Sequence, residues 1–159
     1  MNKTLLALAL MLAATGTATA AKITPVNLDP AGSGLNDPTA ATPVGLNPGT
    51  TVGEQRRIAY QFAADLWGAV LNSDSEVRVG ASFQPLSCNA TSGVLGSAGA
   101  TQIFRDFDGA PLAETWYHSA LADAIAGVEL DDTAAIEINS RCNANLGTTG
   151  CLEASGWYL

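Results

Sequence analysis

Pro25, Pro30, Pro38, Pro43 and Pro48, with Gly32, Gly34, Gly45 and Gly49 between them, decide where regular structure can lie in this chain. A proline ring fixes φ and removes a backbone donor, so such a stretch continues neither a helix nor a central strand. Residues 21–50 therefore read as an extended arm, with a linker as the alternative. Val26, Leu28, Leu35, Val44 and Leu46 give it apolar anchors for lying over a domain surface. The domain itself is expected over residues 51–159.

The chain opens with Lys3, an apolar run from Leu5 to Ala14, and the small-residue pattern Ala18-Thr19-Ala20. Charge, apolar run and small-residue site in that order read as a secretory signal peptide over residues 1–20, cleaved after Ala20. The alternative is a buried core helix. The run is too short to cross a bilayer, which takes about 20 apolar residues. The expected location is outside the cytoplasm, in the periplasm or the medium, with no membrane association after the signal is removed.

Without Lys3 the chain carries six Lys and Arg against fifteen Asp and Glu. That balance argues against nucleic acid and anionic lipid, whose phosphates are met by Lys and Arg. Export favours a disulfide. Cys142 and Cys151 flank a polar loop and could close a short ring; Cys88 with Cys151 is the alternative, and either pairing leaves one thiol over.

Within the domain, Thr51 and Glu54 fit a capping box at the start of a helix that ends near Asn72. Ile58, Phe62, Leu66, Ala69 and Val70 fall on one face of it. Tyr60 and Trp67 read as core or core edge, with a binding face as the alternative. Val77, Val79, Ala81 and Phe83 alternate with polar or small residues, predicting a strand over 77–84. A Ser/Gly-rich connection over 89–99 leads to a weaker strand at 101–107. Asp108-Gly109-Ala110-Pro111 turns into a second helix near 112–126 that stops at Gly127. A last strand is expected at 134–139. The fold class is α+β, a small mixed sheet of about three to four strands with two main helices.

Candidate chemistry is sparse. His118 is the only histidine. Ser119 and Cys88 are conceivable nucleophiles and Asp123 a conceivable orienting acid, but a triad needs three groups that meet in space. Neighbours such as His118 and Ser119 on a helix point apart. Asp106-Phe107-Asp108-Gly109 matches part of a calcium loop, without a closing Glu at the required spacing, since Glu114 is too near. Asp131-Asp132 reads as a loop pair or a cap. Glycine-rich phosphate loops and the G-x-S-x-G elbow are absent. A cysteine zinc site lacks C-x-x-C and a nearby histidine.

Several short segments carry a family resemblance. They are Asn36-Asp37-Pro38-Thr39, the run Asn47 to Arg56, Arg78-Val79-Gly80-Ala81-Ser82-Phe83, Leu95 to Gly99, Thr115-Trp116-Tyr117, Asn143 to Gly147, and Cys151 with Gly156-Trp157-Tyr158. Over residues 26–159 they resemble the N-terminal part of secreted bacterial protease-associated (PA) domain-containing proteins, which look like zincin-type zinc metallopeptidases. The resemblance implies the sheet-bearing half of a zincin-like fold, which walls a substrate cleft and can hold an extended peptide by strand addition. It implies peptide or protein substrates for the full-length form. In that family an H-E-x-x-H helix follows the Trp-Tyr segment, and the PA domain lies further on. No H-E-x-x-H occurs within these 159 residues. No catalytic or zinc-binding residue is therefore carried over, no cofactor is expected in this chain, and zinc is expected only where the C-terminal part is present. The expected protein is an incomplete metallopeptidase-like chain, inactive alone. The alternatives are a complete, non-catalytic secreted binding or structural module, and an enzyme of another kind using His118 or carboxylates.

Overall fold

The computed structural model describes residues 20–159. Ala18 and the apolar run before it lie outside the described residues, so the expected signal segment is not described. At the expected cleavage point, Ala20 is exposed and bridges Asn72, while Ala21 is buried and its N–H donates to the Leu71 carbonyl at 2.9 Å.

The fold is α+β, as expected, with two helices, a four-stranded mixed sheet and a two-stranded ribbon. In chain order these are β1 (Ile23–Asn27), α1 (Val52–Val70), β2 (Val77–Gln84), β3 (Gly96–Ala100), β4 (Ile103–Phe104), β5 (Tyr117–His118), α2 (Ser119–Ala126) and β6 (Ile138–Asn143). The main sheet runs β1-β2-β6-β3. Its first three strands are parallel and β3 is antiparallel at the free edge. β4 and β5 pair separately.

The arm is more regular than its prolines predict, because its first segment forms β1. β1 is an edge strand, and Leu28 N–H bonds the Ala81 carbonyl. Alternation along a parallel ladder then leaves the Pro25 nitrogen facing outward, where its missing N–H costs nothing. Further on, Leu35 is almost wholly buried and joins Ala81 and Phe83 in the core, with Tyr60, Cys142 and Trp157 packed around them. Phe83 meets Tyr60 and Trp157 edge-on at centroid distances of 6.2 and 5.7 Å, and the Arg56 guanidinium lies 4.2 Å from its centroid. Asn143 is fully buried and ties three loops together. Its Oδ1 accepts from Leu86 and Asn145 N–H, and its Nδ2 donates to the Val94 carbonyl.

α1 starts where expected. Thr51 Oγ1 accepts Glu54 N–H at 3.2 Å, and the Glu54 carboxylate accepts Thr51 N–H at 3.1 Å. The buried face of α1 is not the expected one. A Cβ on Gly53 would lie 2.8 Å from the Leu35 carbonyl oxygen, and one on Gly68 would lie 2.6 Å from that of Ala21. Gly53, Ala64 and Gly68 form a seam of small residues that lets the arm backbone come close, and this contact orients the helix. Phe62, Leu66, Ala69 and Val70 consequently face outward and are exposed.

Three element boundaries are corrected. The predicted 101–107 strand shrinks to Ile103–Phe104 in the ribbon, and Gly96–Ala100, read mostly as part of the 89–99 connection, forms a strand of the main sheet. The second helix begins at Ser119, because Tyr117 and His118 pair with Phe104 and Ile103 and Glu114 takes a φ of 55°. The last strand spans Ile138–Asn143, displaced toward the C-terminus. Ala134 N–H is caught by the Asp132 carboxylate in a turn, which delays pairing until Ile138.

Candidate functional site

One face of the main sheet is only half covered. Strand alternation puts Ile23 and Pro25, Val77 and Val79, Ile138 and Ser140, and Ala98 on the same side. α1 lies over part of this face through Tyr60, Ala64 and Trp67, and α2 brings Ala120, Leu121 and Ala124 to it. Between them is an open groove of about 590 Å³ with an almost wholly apolar lining. Tyr60 sits at its inner wall, with its hydroxyl 3.1 Å from Ser140 Oγ and 3.3 Å from Cys142 Sγ. Burial pushes the Tyr60 phenol well above its ordinary pKa, with the contact to Cys142 adding to the shift. Its hydroxyl therefore stays protonated at neutral pH.

Trp67 is both core edge and surface: it lines the groove and is 59 % exposed. Beside it runs the outward stripe of α1, with Phe62 62 % exposed and Leu66 and Val70 similarly open. Groove and stripe put apolar side chains of α1 at the surface next to one another, and contiguous exposed apolar patches mark interaction sites.

The free edge of β3 borders the same groove. Leu95 accepts Asn143 N–H and Thr101 donates to the Glu137 carbonyl, so the odd-numbered residues of β3 make the ladder to β6. Gly96, Ala98 and Ala100 direct their backbone N–H and C=O groups away from the sheet. The strand is written in Gly, Ser and Ala, so no large side chain shields that edge. The opposite face of the sheet is polar there. Ser82, Gln84, Asn139 and Arg141 line a shallow depression of about 520 Å³.

The residues singled out from the sequence separate in space. The disulfide joins Cys88 to Cys151, with Cα atoms 5.1 Å apart, and Cys142 is left as a half-buried thiol. His118 is exposed at the start of α2, with no side-chain capping bond. Ser119 is fully buried and donates its hydroxyl to the Glu137 carbonyl. Asp123 Oδ1 accepts Leu130 N–H. Among the described residues no hydrogen bond joins His118 to Ser119 or Asp123, so they form no relay. The disulfide takes two of the three cysteines, and the candidate ligand group found among the described residues includes neither Cys142 nor His118.

The Asp106–Gly109 segment is a braced turn. Asp106 Oδ1 accepts Glu114 N–H at 2.6 Å, and Phe107 packs edge-on against Tyr117 at 5.4 Å. Asp132 caps a turn, as noted, but its neighbour Asp131 points elsewhere. Asp131, Asp123, Glu129 and Glu137 each bring one carboxylate oxygen to a common point, all within 4.8 Å of one another. Burial first, and the neighbouring carboxylates after it, push the Asp123, Glu129 and Glu137 carboxyls above their usual range. Of these four, Asp123 and Asp131 stand out in the sequence only for other roles, and nothing in the spacing singles out Glu129 or Glu137. A signal was present: five of the chain's fifteen acids fall in residues 123–137, with no Lys or Arg among them.

Comparison with protein-family models, with curated proteins and with solved structures finds no match for the chain. Among the described residues no helix is long and apolar enough to cross a membrane.

Proposed function

We propose that this chain is exported and acts as the sheet-bearing half of a zinc-peptidase-like, PA domain-containing protein. In this reading the β3 edge receives an extended peptide by strand addition. The apolar groove seats a helix that carries the zinc ligands and lies in sequence beyond these 159 residues. The chain alone then shapes and binds without catalysing.

The observation that carries the reading is the juxtaposition of β3 and the groove. An antiparallel edge strand with free N–H and C=O groups can template an added strand. The open apolar face beside it calls for an apolar element to cover it. The outward stripe Phe62, Leu66 and Val70 supports the same need for a covering partner. The Cys88–Cys151 disulfide supports export, since such bonds persist in oxidising compartments.

The test is amide hydrogen exchange on residues 21–159, with and without a peptic digest of casein as a source of extended peptides. Added peptide is expected to slow exchange at Gly96, Ala98 and Ala100. Ala98→Pro removes one outward N–H without removing a bond to β6, and should abolish the effect. Protection absent from these three amides, or unchanged in Ala98→Pro, contradicts the assignment.

A further inference from the structure

Four carboxylates converge beside α2. In each of three, one oxygen is held by a donor of the protein: Asp123 Oδ1 by Leu130 N–H at 3.0 Å, Asp131 Oδ2 by the Gln102 side-chain amide at 2.9 Å, and Glu137 Oε2 by Arg78 N–H. The second oxygens, Asp123 Oδ2, Glu129 Oε2, Asp131 Oδ1 and Glu137 Oε1, are buried and have no hydrogen-bond partner. Asp123 and Glu137 are each 1 % exposed. None of the four makes a salt bridge among the described residues, and the Arg78 guanidinium turns to Glu76 instead.

Buried carboxylates with unpaired oxygens are costly unless something positive meets them. We propose that Asp123, Glu129, Asp131 and Glu137 form a calcium site. The donor set is all oxygen, with no thiolate or imidazole, which selects a hard cation. Calcium accepts irregular cages of six to eight oxygens at about 2.3–2.6 Å, so ligands on opposite sides lie about 4.6–5.2 Å apart. One oxygen from each of the four carboxylates lies within 4.8 Å of the others, close enough to share one such ion. Magnesium demands a near-ideal octahedron and keeps several waters, which suits a buried carboxylate cage less well. The donors on the other oxygens of Asp123, Asp131 and Glu137 orient those ligands, as outer-shell partners do in metal sites. The ion ties α2, the loop over 127–137 and the entry to β6 into one unit. It also sets the register in which β6 meets β3, although the site is independent of whether β3 binds peptide.

The test uses residues 21–159 dialysed against a chelator and then titrated with calcium chloride. Calorimetry is expected to show one calcium per chain, and the melting temperature to rise with calcium and less with the same concentration of magnesium chloride. Asp123→Asn with Glu137→Gln should weaken calcium binding at least tenfold. In chelator the double variant should melt no lower than the parent, because it removes unpaired charge. Asp131→Asn, at the partly exposed rim, should weaken binding with the fold intact, which keeps the test open if the double variant does not fold. Absence of calcium binding, or a calcium effect unchanged in Asp131→Asn, overturns the proposal.

Discussion

The carboxylate of Asp29 accepts the backbone N–H of Phe83 at 2.9 Å through Oδ2, the same oxygen that accepts Leu35 N–H at 2.7 Å. One oxygen thus fastens the arm to the end of β2 and places Leu35 beside Phe83 in the core. Hydrogen bonds to a charged group contribute about 1.5–3 kcal/mol. Asp29→Ala should lower stability by about that amount, measured as a lower urea midpoint at unchanged slope. Gly34→Ala should also destabilise: its φ is +56°, and an added Cβ would sit 2.0 Å from Asp29 Oδ2.

The Cys88–Cys151 bond closes a loop of 63 residues in sequence separation. Chain-entropy arguments put the stabilisation from such a loop at about 4 kcal/mol. Reduction should lower the denaturant midpoint accordingly. Alkylation of the unfolded, unreduced chain should label one cysteine, Cys142, identified by peptide mass. Labelling of Cys88 or Cys151 would contradict the pairing.

The capping box of α1 makes a pH prediction. Hydrogen bonds from Thr50 and Thr51 hold the Glu54 carboxyl below its usual range. A group whose pKa is lower in the folded chain adds stability above its unfolded pKa and loses it as pH falls through the folded value. The stability difference between the parent and Glu54→Gln should therefore be present at neutral pH and shrink in acid. Thr51→Ala should cost about 1 kcal/mol, the usual loss for a cap.

The outward stripe of α1 separates stability from association. Phe62→Ser with Leu66→Ser should leave the melting temperature within a few degrees of the parent, because both side chains are exposed. Sedimentation should show less self-association than the parent. A large drop in melting temperature would place these side chains in the core after all.

Local chemistry was legible in the sequence. Thr51 and Glu54 announced the start of α1, and the alternation from Val77 to Phe83 delimited β2, because both signals involve neighbours in the chain. The buried face of α1 was not legible. Hydrophobic periodicity pointed to Ile58, Phe62 and Leu66, yet close backbone approach at Gly53 and Gly68 selected another side. β3 was hidden because Gly96-Ser97-Ala98-Gly99-Ala100 has low strand propensity; its place comes from the unpaired edge that β6 offers. The spacing of Trp116, Ala120 and Ala124 reads as helix from residue 112, but pairing with β4 holds Tyr117 and His118 extended. The carboxylate cluster depends on the chain turning back between α2 and β6, which periodicity does not report. The density of acids over 123–137 marked the region without identifying which four would meet.

The coding sequence past the Leu159 codon, read from the expressed transcript, decides whether the open apolar face and the β3 edge belong to a larger peptidase-like unit. An open frame that encodes H-E-x-x-H on a helical segment is expected there. A stop codon immediately after Leu159 would rule the larger unit out.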